Sequence, residues 1–580
     1  MAHDTGSTTA SSQERGVPPG PGALKGIDDT ASTTQPEPQY LSGLKFVCAF
    51  TCICIILFLV VLTRLTLGLV PFPVVQDGSI VSTAAPTITD DFRSLNDLGW
   101  YSSVYYMTFC IAQLQFGKLN VRYPIRIVYS CCMFLFLVGS AICGAAPNSP
   151  ALIIGRAIAG IGSAGLLVGS FALIPVLTPP LRRPLVTGII GGVLGFGMSV
   201  GPMIGGAFTE NITWRWAFYM NLPIGGFCYF GFFFLVYPPK IAPAKPLTLG
   251  GFFHTLDLYG LLTVTPCVAC LLIALQWGGT TYAWSNGRVI ALLTLFGILV
   301  LAFIGVELWV GDDAMVPKRV VKQRSVIASV LFAFTNGGSC YLFAYYIPIW
   351  FQACRDNDPI QAGVNMLPLV IAQTIASISC GLGVASTGYI WPFMTVASVF
   401  TAIGAGLLTT FQVDISDDKW IGYQIIYGIG MGLAAQTPLM VAQNVVALED
   451  IAIASSLIMM MQAIGGSVFI SLVQAVFTNS LIKNLVGTGL SEKQISDALA
   501  GGVTDISNGL TGTLRARVLD VVNDSLTHGW LVSVVLTSVS LLGALAVEHR
   551  KIRGKEAKLL KGNGAANEEA KEGRTEKAAF

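Results

Sequence analysis

The sequence predicts an all-α polytopic membrane protein, and three observations carry that fold class. Of its 580 residues, 53% are hydrophobic and only 11% charged, against roughly 25% charged in a soluble domain. Apolar runs close to the roughly 20 residues that cross a bilayer as a helix recur from Phe46 to Val547. Between them, Lys and Arg collect in alternate short loops, the asymmetry that membrane insertion leaves on the cytoplasmic side. The helix bundle is therefore its own core. A net charge of +2 with scattered basic residues offers no stripe for nucleic acid.

Apolar windows bounded by charge, Gly or Pro place helices near 45–62, 98–116, 127–146, 151–175, 185–207 and 215–237. A second series lies near 256–276, 288–309, 326–350, 362–382, 390–411, 421–447, 452–477 and 530–547, giving about fourteen spans. Lys118, Arg122 and Arg126 follow the second span, Arg182 and Arg183 the fourth, Lys240 and Lys245 the sixth, and Lys318, Arg319, Lys322 and Arg324 the eighth. These loops are expected in the cytosol, with both termini. Residues 1–43, rich in Ser, Thr, Pro and Gly, read as a disordered cytoplasmic tail, and 549–580 as a charged one. A long outer loop is expected over 479–529. It holds the tripeptide Asn523-Asp524-Ser525, a glycosylation acceptor pattern that recurs at Asn211-Ile212-Thr213.

A charge at mid-bilayer costs at least about 2.5–3.5 kcal/mol and calls for a partner or a wet cavity. Two charges raise that question. Arg156 sits in "IIGRAIAGIGSAG", where it is either paired or reaches for an interface; Asp77 sits in "QDGSIVSTAAPTI", inside the bundle or in a loop. The fifth span, "GIIGGVLGFGMSVGPMIGGAF", repeats glycine at spacings that let helices approach closely, and its Pro202 permits a kink. Uncharged polar and aromatic residues in apolar context, among them Tyr105, Gln113, Asn336, Tyr345, Gln373 and Gln436, suit a cavity for a large, weakly polar substrate. The thirteen cysteines lie mostly inside apolar runs, which suits packing better than metal binding. No nucleotide-binding G-x-x-x-x-G-K-[ST], H-E-x-x-H or G-x-S-x-G motif is present. An enzyme, a cofactor and a metal are therefore not expected.

"GFGMSVGPMIGGAF" resembles the antiporter motif of the major facilitator superfamily, specifically its fungal fourteen-span drug:proton antiporters, at Gly197, Gly201, Pro202, Gly205 and Gly206. "WRWAFYMNLPIGG", "LDLYGLLTVTPCVACLLIALQWGG" and "DPIQAGVNMLPLV" extend the resemblance over nearly all of the chain from Phe46 to Arg550. "GRAIAGIGSAG" resembles the fourth-span motif whose arginine, here Arg156, is implicated in proton coupling. The resemblance implies a major facilitator fold: a six-helix bundle over 44–238, two extra helices in a linker over 239–325, and a second bundle over 326–548. It also implies a cytoplasmic gate loop, here "FGKLNVRYPIRIVY" with Gly117, Lys118, Arg122 and Arg126, in which Asn120 stands where an aspartate is common.

The family's first span usually runs into a motif like L-D-x-[ST]-I-V-x-T-A-x-P. Asp77, Ser79, Ile80, Val81, Thr83, Ala84 and Pro86 match its tail, but Thr63 to Gln76 intervene; without them Leu62 would join Asp77. Residues 63–76 thus read as an insertion, or as codons that splicing would remove. The stretch from Phe46 to Pro86, about 41 residues and roughly 60 Å if helical, is too long for one span.

The resemblance implies a proton-coupled exporter of an organic toxin, drug or fungal secondary metabolite, with Asp77 as proton carrier and Arg156 as its charge partner. Uptake of a siderophore or other organic solute, and a non-transporting membrane sensor, are the alternatives. The expected partners are a small organic substrate, protons and the lipid bilayer, the chain acting as a monomer in the plasma membrane or, alternatively, a vacuolar or vesicle membrane.

Overall fold

The computed structural model describes residues 43–65, 88, 91–92, 94, 97–235, 257–279, 282–486 and 512–552. Each expected span coincides with a helix. The first half runs α1 Gly43–Leu65, α2 Leu98–Arg122, α3 Ile125–Gly144, α4 Ser149–Leu177, α5 Arg183–Asn211 and α6 Asn221–Leu235, the last preceded by the short turn Trp216–Tyr219. Two more helices follow, α7 Leu258–Trp277 and α8 Gly287–Val310. The second half comprises α9 Arg324–Arg355, α10 Leu367–Thr387, α11 Trp391–Leu408, α12 Asp417–Ala435 with its continuation Thr437–Val445, α13 Ile451–Leu485 and α14 Gly512–Ala546.

Polar caps set several helix starts. The Asn148 side chain accepts from Ala151 N at 3.0 Å, with Pro150 in the first turn of α4, and Asn286 does the same for Arg288 N at the start of α8. Twelve helices among the described residues are long and apolar enough to cross a membrane. The whole of α2 and α5 is not among these, although both run between the others. The first is diluted by Tyr105, Tyr106, Gln113 and Gln115, and within the second Arg183–Met198 is an apolar stretch among the described residues.

Within the first half, α3 packs on α4, α2 on α4, and α1 on α5 and α6; within the second, α9 packs on α13 and α14, α10 on α12, and α11 on α12 and α14. The halves meet along α5 against α10 and α2 against α13. The pair α7 and α8 leans on α2 through α7, and α8 buries only Val289 and Glu307, leaving Leu301 and Trp309 exposed as a lipid-facing helix would.

The long loop expected over 479–529 is shorter than predicted, because α13 runs on to Leu485 and α14 begins at Gly512. Asn523 and His528 are therefore helical. Glycosylation at Asn523 is contradicted: the residue is 5% exposed, its Oδ1 accepts from Trp350 Nε1 at 2.8 Å, and its Nδ2 donates to the Phe411 carbonyl at 3.0 Å. An amide locked between two helices and a loop leaves no room for a glycan. Asn211, at the end of α5, is exposed.

Candidate functional site

A cavity of about 100 Å³ lies between the halves, walled by α1, α2, α4 and α5 on one side and α9, α10, α12 and α13 on the other. Gln373, Gln436 and Gln462 supply amides to it, and Phe109, Phe171 and Tyr341 supply rings. Gln436 is 7% exposed, and its Oε1 has no hydrogen-bond partner among the described residues. It sits at the break between Ala435 and Thr437, where α12 interrupts its helix.

Of the six residues the sequence nominated for a cavity, Gln373 and Gln436 line this one. The other four are not among the described residues that line it. Tyr105 donates to Ser163 Oγ at 2.6 Å, Asn336 donates to the Phe332 carbonyl at 3.2 Å, Tyr345 packs edge-on against Tyr346, and Gln113 is fully buried. Arg64 was not nominated, yet among the described residues lining the cavity it is the only charged one.

Arg156 is 0% exposed, so it does not reach for an interface. Its Nε donates to the Tyr101 carbonyl at 2.8 Å and its Nη1 to the Thr63 carbonyl at 3.0 Å, while its guanidinium lies 4.2 Å from the Tyr105 ring centre. Carbonyls at the end of a helix carry partial negative charge, so Thr63 O at the end of α1 suits a cation. Asn221 extends this polar knot, donating to Thr63 Oγ1 at 2.7 Å and to Ser140 Oγ at 3.3 Å. Among the described residues no carboxylate pairs with Arg156. Asp77 lies outside the described residues, as do 66–76. Thr63 to Leu65, the first residues of the segment that reads as an insertion, continue α1, and Thr63 is fully buried.

The motif glycines lie on α5, which is helical through Pro202. A Cβ at Gly197 would come 3.1 Å from Val61 of α1; Gly201 and Gly205 are buried. Closer to the Arg182 end the same helix meets α10: a Cβ on Gly188 would lie 2.6 Å from the Ser377 carbonyl, and one on Gly381 equally close to the Pro184 carbonyl. Ser377 Oγ donates to the Gly188 carbonyl at 3.0 Å. On the other seam a Cβ on Gly117 would overlap Ser456 Oγ of α13. The two halves are thus closed against each other at their basic end, backbone to backbone at Gly188 and Gly381 and backbone to the Ser456 side chain at Gly117.

Charge pairs strap that end. Lys118, 4% exposed, lies 3.9 Å from Asp257 and donates to the Asp313 carbonyl, and Arg122 pairs with the Asp313 carboxylate. Asp257 does three jobs at once, since it also caps α7 through Gly260 N at 3.1 Å and accepts from Met315 N at 3.0 Å. On the opposite half, Arg319 grips Asp450 with contacts of 2.9 to 3.1 Å. That bidentate hydrogen bond raises the Arg319 guanidinium above its ordinary value. The segment after α8 therefore ties α2 to the start of α13. Arg126 instead bonds to the Phe233 carbonyl of α6 and lies over its ring. The acidic partners of Lys118 and Arg122 come from the start of α7 and the turn after α8, not from position 120.

The family model of the Major Facilitator Superfamily matches residues 67–470. The chain belongs to the Major Facilitator Superfamily. Within the superfamily it is 42% identical over 531 residues to the MFS-type transporter phomT of Diaporthe leptostromiformis, covering 90% of this chain and 86% of that one. It is 40% identical over 544 residues to the MFS-type efflux pump MFS1 of Trichophyton rubrum, covering 93% and 98%. With the efflux pump aflT of Aspergillus parasiticus the identity is 39% over 527 residues, 91% of this chain and 99% of that one. Among solved structures, the proton:xylose symporter XylE aligns with a TM-score of 0.53 at 13% identity, over 88% of this chain and 98% of that one. The human organic anion transporter MFSD10 aligns at 0.51 and 14%, over 86% and 100%. At such identities the likeness is one of fold.

Proposed function

We propose that this chain is an efflux transporter that exports an organic toxin, drug or fungal secondary metabolite, drawing on a proton gradient. The observation that carries the reading is near-full-length similarity at about 40% identity to proteins named efflux pumps, on a chain whose amide- and ring-lined cavity lies between two helix bundles. The basic end faces the cytosol, and cargo enters the cavity when the Gly188–Ser377 and Gly117–Ser456 seams part and leaves when they close. Asp77 takes up the proton, and Arg156, fixed among carbonyls beside the end of α1, senses its charge. The glycines of α5 let the bundles tilt, and the chain works as a monomer in the plasma membrane.

Expression in a yeast strain lacking its own drug pumps tests this. Cells carrying the chain should extrude a hydrophobic dye faster, and Arg156→Gln and Asp77→Asn should lose that gain while still reaching the membrane. Dye retention equal to that of empty-vector cells, with the protein present at the surface, would overturn the reading.

A further inference from the structure

Arg64 occupies an unusual position. It lies on the last turn of α1, and its guanidinium carbon is 4.5 Å from the ring centre of Tyr106, 5.2 Å from that of Phe109 and 5.1 Å from that of Tyr341. Tyr106 and Phe109 belong to α2 and Tyr341 to α9, so rings from both halves surround one cation. Ring faces attract a cation through their quadrupole but do not accept its in-plane N–H groups, of which a guanidinium has five. Among the described residues no carboxylate and no carbonyl accepts from Arg64. The contrast with Arg156 is direct, since that guanidinium is bonded to two backbone carbonyls.

Among the described residues Arg64 therefore brings a positive charge with no anionic or carbonyl acceptor to the wall of the cavity. The rest of the wall is apolar or amide, including Met198, Met431 and Met459, whose flexible side chains adapt to different shapes. Gln436, which also lines the cavity, adds an oxygen with no partner among the described residues. A half-buried charge among rings and without an acceptor is costly, and a ligand that supplies an anionic oxygen reduces the cost.

We infer that the central cavity selects an aromatic, largely apolar ligand carrying one anionic oxygen group, a carboxylate or an ionised phenol or enol, which pairs with Arg64 while its rings stack among Tyr106, Phe109 and Tyr341. The inference rests on the export reading for its biological sense, but its binding chemistry is separable. Planar bidentate pairing of guanidinium with carboxylate is the strongest form of such a contact, and loss of one strong contact is worth roughly tenfold or more in affinity.

The test uses the purified full-length protein in lipid nanodiscs and two fluorescent probes of nearly equal shape, 1-pyrenebutyrate and 1-pyrenebutanamide. The wild-type protein should bind the acid roughly tenfold or more tighter than the amide. Arg64→Gln should abolish that difference while leaving amide affinity within about twofold, and Arg64→Lys should restore part of it. Equal affinity of the wild type for acid and amide overturns the inference without any variant, as does a preference that survives Arg64→Gln. In proteoliposomes, movement of the amide but not the acid overturns the inference and leaves export standing. Tight, Arg64-dependent binding of the acid with no movement of either probe sinks the export reading and leaves the inference standing.

Discussion

Replacing Gly188 by alanine perturbs the seam that closes the basic end, and the structure sets the size of the effect. The added methyl would sit 2.6 Å from the Ser377 carbonyl oxygen and 3.1 Å from Gly381 Cα. Both neighbours are backbone, so neither can swing away, and the helices must part by about 0.8 Å to reach an ordinary contact of about 3.4 Å. Overpacking of this kind costs about 1–3 kcal/mol. Charged against the closed state alone, that shifts a two-state equilibrium toward the open basic end by roughly 5- to 150-fold. Hydrogen–deuterium exchange read by mass spectrometry should show faster exchange at 183–190, 377–388 and 450–457 in Gly188→Ala. Gly226→Ala serves as the control, because a Cβ there meets nothing within 4 Å. Exchange at those segments unchanged from wild type, or raised equally by the control, would refute the idea that this approach holds the halves together.

The strap makes a second prediction: Asp450→Ala and Arg319→Ala should each lower the thermal midpoint, and the double variant should be less than additive. The coupling should be about 1 kcal/mol, discounted because the Arg319 side chain is 47% exposed; strict additivity would deny the pairing. Asn523→Ala should destabilise the protein by about 1–3 kcal/mol, since it strands Trp350 Nε1 and the Phe411 carbonyl, and deglycosylation should remove no sugar from position 523; a glycopeptide at that site would contradict the helix packing. Trypsin cutting after Arg64 should release a peptide from Leu65 to Arg93 from the mature protein. A peptide in which Leu62 runs directly into Asp77 would instead remove Arg64 from the cavity and seat Asp77 where Thr63 now lies, beside Arg156 and Asn221.

The helices were legible because spanning a bilayer demands about 20 apolar residues, and composition alone records that. Even α2 and α5 could be placed, since their polar and glycine residues fall at regular positions between clear loops. Arg156 announced itself as a lone charge in an apolar run, and burial follows from that. Its partners could not be read, because backbone carbonyls of Tyr101 and Thr63 leave no mark on sequence. The partners of Lys118 and Arg122 were hidden for another reason: Asp257 and Asp313 are distant in the chain and flank helices outside both bundles. Amides posed the hardest case. Gln113, Asn336, Gln373 and Gln436 all sit in apolar context, yet only the last two face the cavity, since polarity marks an interior position without saying which interior. Arg64 was visible as a charge but was assigned to an insertion, and its place between Tyr106 and Tyr341 depends on how two bundles meet. Within the outer segment expected at 479–529, "TLRARVLDVV" reads as helix-forming, and it joins the final span into one helix from Gly512.

The central claim is that organic cargo crosses between the two bundles at the expense of a proton gradient. The direct measurement is pyrene-probe accumulation in inside-out vesicles with an imposed pH difference, lumen acidic. Accumulation that follows the gradient, collapses with a protonophore and disappears in Arg156→Gln is the predicted result; accumulation indifferent to the gradient, or equal in that variant, would contradict it.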